Sequence, residues 1–124
     1  MTTKLFYLAA PYTGTVEETA DRMRQLCIVD SILMTHGVYT MTPLSKHFIL
    51  DYSSLPGDWA YWQTYCELTL ARCDGVIVIA LDGWETSVGV LAEIELCKQL
   101  NIPHIVVDPQ NVDIATIKRH FDLD

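Results

Sequence analysis

Four apolar runs, separated by longer amphipathic stretches, set the rhythm of the chain. The plainest is Gly75 to Leu81 (GVIVIAL), a Val/Ile run with little alternation, the pattern of a parallel strand covered on both faces. Lys4 to Ala10 (KLFYLAA) ends at Pro11 and reads as the first strand, Val38 to Thr42 ends at Pro43 and reads as the second, and His104 to Val107 reads as the fourth. Between them the period changes to that of helices. Thr15 and Glu18 form a capping-box pattern that opens a helix running to about Thr35, with Ala20, Met23, Leu26 and Cys27 on its inner side and His36–Gly37 as its stop. Asp58 is the expected N-cap of a second helix, with a stripe of Trp59, Trp62, Cys66, Leu70 and Cys73. A third helix spans Ser87 to about Leu100, and a short last one about Val112 to Phe121. Leu44 to Pro56 is the least regular part and reads as a loop with one helical turn.

The third helix carries an anomaly. At ~100° per residue, Glu95, Lys98 and Gln99 share one face, and Val90, Ile94, Leu96, Cys97 and Leu100 the other. Glu95 can pair with Lys98 on the solvent side. Glu93 instead falls in the middle of the apolar face, between Gly89 one turn before and Cys97 one turn after. A carboxylate loses several kcal/mol, of order 1–3 or more, when stripped of water without a partner, so such a residue either faces a cleft or sits at the rim of the core on a rotated helix. Helical side chains lean toward the N-terminus, which aims Glu93 at the loop Asp82 to Thr86, with Gly89 leaving room beside it.

With parallel strands and right-handed crossovers, the order β, α, β, loop and helix, β, α, β, α gives an α/β doubly wound parallel sheet, flavodoxin-like or Rossmann-like, of four strands in the order 2-1-3-4 with helices on both faces. Ligands of such sheets lie where strands one and three end, because the winding direction reverses there. Strand one delivers Tyr7 through Gly14 and strand three delivers Asp82 through Gly89. The candidate lining is therefore Pro11, Tyr12, Thr13 and Gly14 with Asp82, Gly83, Trp84, Ser87 and Gly89. His47 in the irregular segment and Trp59, Trp62 and Cys66 on the second helix are further candidates, each equally compatible with an ordinary surface or core role.

Composition narrows the partners. The 124 residues suit one domain, 1–124. A formal charge of −8 argues against nucleic acid and anionic membranes, which are held by basic patches. No apolar run nears the ~20 residues of a membrane span. The absence of a secretory-type leader and the scattered Cys27, Cys66, Cys73 and Cys97, with no CxxC pair, point to a cytoplasmic protein with reduced core thiols and no zinc site.

YLAAPY (Tyr7 to Tyr12), GDWAYW (Gly57 to Trp62), ARCDGVIVI (Ala71 to Ile79), LDGWETSVG (Leu81 to Gly89) and Ala92–Glu93–Ile94, in that order and spacing, resemble the nucleoside 2-deoxyribosyltransferase superfamily, in particular its small bacterial and phage branch of unknown function. The resemblance implies that Glu93 is a nucleophile attacking the anomeric carbon of a nucleoside, that Tyr7 positions it, and that neither metal nor cofactor takes part. It also implies a small-molecule nucleotide as substrate and a homodimer or larger homo-oligomer, for which Trp59, Tyr61 and Trp62 are candidate contacts. Ser87, where transferases carry an aspartate, matches the branch that hydrolyses nucleoside 5'-monophosphates. A serine at a helix N-terminus suits a phosphate, and equally serves as a plain N-cap. The chain departs from the pattern at Cys66, where the family usually has an aspartate that engages the leaving base. A thiol does not shuttle protons as a carboxylate does, so Asp58, Asp82 or His47 would have to act instead. Two function classes follow: cleavage of an N-glycosidic bond, by hydrolysis or base exchange, and a binding protein that retains a nucleotide or nucleotide-derived signal uncleaved. Glutamate-dependent cleavage of NAD is a third option, with fold-level support alone.

Overall fold

The computed structural model describes residues 3–124. Four parallel strands form one sheet: β1 (Phe6–Ala9), β2 (Thr40–Met41), β3 (Gly75–Ile79) and β4 (His104–Val107), in the spatial order 2-1-3-4 that the sequence predicts. The central β1 and β3 pair in register from Phe6 opposite Gly75 to Ala9 opposite Val78. Edge strand β2 is two residues long, shorter than the Val38–Thr42 run, and pairs with β1 through Phe6–Thr40 and Tyr7–Met41.

Alternation along the two central strands divides the core. Phe6, Leu8, Ile77 and Ile79 face Met23, Leu26, Val29 and Leu33 of helix α1 (Val16–Thr35), together with Ile117 of helix α4 (Ile114–His120) and Phe121. Tyr7, Ala9, Val76 and Val78 face Cys66 and Leu70 of helix α2 (Trp59–Leu70) and Val90 and Cys97 of helix α3 (Val88–Leu100). This is the doubly wound arrangement, with helices on both faces of the sheet. Gly75 shows how tightly the first layer is closed: a β-carbon there would lie 2.6 Å from Phe121 and 2.9 Å from Phe6.

Several local expectations shift. Thr15 caps α1 with the full reciprocal box, its side chain accepting from the Glu18 amide while the Glu18 carboxylate accepts from the Thr15 amide. The buried stripe of α1 is Met23, Leu26, Val29 and Leu33, however, so Ala20 and Cys27 are exposed, and Cys27 is no core thiol. On α3, Leu100 is likewise exposed. Asp58 occupies the N-cap of α2 without capping it: its side chain makes no cap hydrogen bond. Cys73, still buried, has passed from α2 into the turn before β3. Most of the irregular segment is ordered as a 3₁₀ helix, Pro43–Tyr52, started by the Thr42 side chain accepting from the Leu44 amide and by Pro43 in the first turn, where a missing N–H costs nothing. No helix among the described residues is long and apolar enough to cross a membrane.

Candidate active site

Glu93 is the one buried charged residue among those described, at 6% exposure. It projects from the second turn of α3 and accepts a short hydrogen bond from the Tyr7 hydroxyl. The pairing follows from the pleat: Tyr7 lies on the face of β1 that meets α2 and α3, while its neighbours Phe6 and Leu8 face α1. Cys66 from α2 brings its thiol beside the same two groups. Burial pushes the Glu93 carboxyl up to about 7, held from rising further by the Tyr7 hydroxyl. Burial, with the Glu93 charge added, drives the Tyr7 phenol far above its usual value. The proton of the pair therefore stays on the phenol, and Tyr7 donates to a carboxylate that titrates close to neutrality. Burial also raises the Cys66 thiol, to about 11, which keeps it protonated.

These groups open onto a cleft of about 350 Å³, within the range of roughly 300–1,000 Å³ common for small-molecule sites. It lies at the carboxyl ends of β1 and β3. Of the residues the sequence points to, Tyr7, Pro11, Tyr12, Thr13, His47, Trp59, Trp62, Cys66, Gly83, Ser87, Gly89 and Glu93 line it, whereas Gly14, Asp82 and Trp84 do not. Trp84 packs into the core between the sheet and the α2–α3 pair. Asp82 faces a second, acidic hollow with Glu18, Asp21 and Asp108. Gly14 sits under Arg22, whose guanidinium nitrogen would be 3.0 Å from any β-carbon added there.

The room that Gly89 leaves beside Glu93 is taken by an indole. A β-carbon at Gly89 would come 3.1 Å from the Trp59 ring, so the indole rests on α3 one turn before Glu93 and forms a wall of the cleft. Trp62 is fixed beside it, its indole N–H donating to the Pro56 carbonyl at 2.7 Å. His47 is carried in by the 3₁₀ helix, and its Nδ1 is hydrogen-bonded to the Tyr12 hydroxyl.

The end of the cleft at the start of α3 is built from the loops that follow β1 and β3 and a cation. The Ser87 side chain caps α3 by accepting from the Val90 amide at 3.3 Å, and Thr13, Gly83, Thr86 and Ser87 line this end. Gly83 turns the chain here at φ +86°, a left-handed conformation that favours glycine. Arg22 from α1 also lines the cleft. Its guanidinium donates to the Thr13 carbonyl and, at 3.1 Å, to the Asp82 carbonyl, so it ties together the loops that follow β1 and β3. Sequence reasoning passed over Arg22. The available signal was its place on the Thr15–Glu18–Arg22 stripe of the helix that follows the first strand.

A buried carboxylate titrating near neutrality, held by a phenol and walled by two indoles, with the start of α3 and a guanidinium in the same lining, can act on or retain a small aromatic anion. Fold and cleft together define a doubly wound α/β protein with its candidate site at the topological switch point. The chain belongs to the family described as Domain of unknown function (DUF1937), which matches residues 4–108 and so covers every residue lining the cleft. No curated protein matches the chain.

Proposed function

We propose that the protein cleaves the N-glycosidic bond of a (deoxy)nucleoside 5'-monophosphate, with Glu93 as nucleophile. The observation that carries this reading is the Glu93–Tyr7 pair, a desolvated carboxylate opening onto an aromatic-walled cleft. The motif resemblance to nucleoside 2-deoxyribosyltransferases supports the same chemistry. Displacement at an anomeric carbon passes through an oxocarbenium-like state, which a close, poorly solvated anion stabilises and then traps as a glycosyl ester. Tyr7 keeps one carboxylate oxygen fixed and leaves the other to attack. The base lies against Trp59 and Trp62. The phosphate lies at the amino end of α3, between the Ser87 hydroxyl, neighbouring amides and the Arg22 guanidinium. Water then releases the sugar phosphate, or a second base takes it up. Burial of Cys66, Cys73 and Cys97 as free thiols suits a reducing, cytoplasmic setting, and the exposed Tyr61 suits a contact between copies in a dimer or larger assembly.

A panel of ribo- and deoxyribonucleoside 5'-monophosphates, incubated with and without acceptor bases and resolved by chromatography, tests the reading. Free or exchanged base is expected from the wild type and not from Glu93→Gln. An intact panel with both proteins would sink it.

A second reading draws on Cys66. With a protonated thiol where a carboxylate would engage the base, the same cleft would hold a nucleotide or nucleotide-derived signal uncleaved. Calorimetric binding without turnover would favour it, and consumption of the bound ligand would end it.

A further inference from the structure

A purine leaves its sugar readily only when its ring is protonated, and neither group beside Glu93 is suited to give that proton. Tyr7 spends its hydroxyl on the carboxylate, and the thiol of Cys66, buried beside that pair, is held protonated and is a poor proton donor. The cleft holds one imidazole. His47 is half-buried, packed edge-on against Tyr12 with ring centres 5.5 Å apart and against Phe48 at 5.1 Å. Its Nδ1 meets the Tyr12 hydroxyl, while its Nε2 has no hydrogen-bond partner among the described residues. A hydroxyl serves both states of this ring, donating to Nδ1 of the neutral form and accepting from Nδ1–H of the cation. One nitrogen is thus held and the other remains for a ligand. The charged and titratable groups around it are Tyr12, Asp51 acting on Tyr12, Lys46 as its chain neighbour and Asp58 on the cleft wall.

We infer that His47, held by Tyr12, is the catalytic acid that protonates N7 of a departing purine base. The assignment rests on the glycosidase reading above. In the first step a Glu93 oxygen bonds to C1', the C1'–N9 bond breaks with its electron pair passing into the base, and the Nε2 proton of the His47 cation goes to N7. In the second step water attacks C1' of the glycosyl ester, the ester bond breaks to restore the Glu93 carboxylate, and the water's proton returns to Nε2. Proton donation of this kind contributes about 10²–10⁴-fold in rate.

A substrate that needs no proton isolates this step. A purine nucleoside 5'-monophosphate methylated at N7 already carries the positive charge and releases a neutral base. In the first-turnover release of base, which precedes the water step the two substrates share, His47→Gln should lose about 10²-fold or more on the unmethylated nucleotide while staying within a few-fold of wild type on the methylated one. Tyr12→Phe should show a smaller loss of the same selectivity, and Glu93→Gln should lose both substrates. Equal loss on the two substrates, no loss on either, or selective loss in Asp58→Asn instead would overturn the assignment while leaving Glu93 as nucleophile. A wild type inactive on both purine substrates would overturn the assignment, and inactivity on the whole nucleotide panel would remove the glycosidase reading as well.

Discussion

Glu93 should make the protein less stable as the pH rises, the reverse of the behaviour of most carboxylates. Its carboxyl is raised by burial from 4.5 to about 7 in the folded chain. Between those values the folded state holds a proton that the unfolded state has released, so unfolding loses free energy as pH increases through the window. Stability from this group is fully present below 4.5 and lost above about 7. At about 1.4 kcal/mol per pKa unit the whole difference is about 3 kcal/mol, of which about 2.5 falls between pH 5 and pH 8. Glu93→Gln keeps the shape and an acceptor for Tyr7 but cannot ionise. Urea denaturation of both proteins at several pH values between 5 and 8 isolates the effect, since every other titrating group is common to the two. The wild type should lose about 2.5 kcal/mol relative to Glu93→Gln across that range, a relative shift in urea midpoint of about 1–2 M at unchanged slope. A stability difference that is flat with pH, or one that grows in favour of the wild type, would refute a buried, upward-shifted carboxyl at this position.

Three further outcomes are expected. On the N7-methylated nucleotide, which needs no acid, kcat/KM for base release should rise with pH through about 7 as Glu93 ionises, and Tyr7→Phe should move that inflection upward because the hydroxyl that restrains the carboxyl is gone. Arg22→Ala should raise KM for a 5'-monophosphate by about tenfold or more and leave the corresponding nucleoside little changed, as losing a charge-assisted contact to phosphate requires. Gly75→Ala should destabilise the fold by about 1–3 kcal/mol, read as a lowered thermal midpoint, because its methyl would meet Phe121 at 2.6 Å inside the β1–β3 layer.

The strand order and the burial of Glu93 were both legible in the chain. The unalternated GVIVI run and the prolines closing the first two strands mark parallel strands, and the helical wheel alone separates Glu93 from Glu95. What escaped depends on groups far apart in sequence. Arg22 looks like any solvated cation on a polar helix stripe until the loops after β1 and β3 place the Thr13 and Asp82 carbonyls within its reach. Gly89 reads as open room beside Glu93 because nothing local announces that the ring of Trp59, thirty positions earlier, rests on it. Asp58 has the composition of an N-cap, yet its side chain does not cap. On α1, Cys27 adjoins the buried Leu26, but the stripe runs through Met23, Leu26, Val29 and Leu33 and leaves the thiol outside.

The separation of Tyr7 and Glu93 along the chain also bears on how the protein folds. They stand 86 positions apart, and the strand pairing that brings their elements together joins Phe6 to Gly75. Loop-closure entropy opposes so distant a pairing until most of the chain has collapsed, which makes parallel topologies of this kind slow to form. Helices capped locally, such as α1 with its Thr15–Glu18 box, can form early, but the phenol–carboxylate contact belongs to the last stage. Recovery of that contact in a refolding experiment is therefore a clock for completion of the native state, whereas recovered helicity is not.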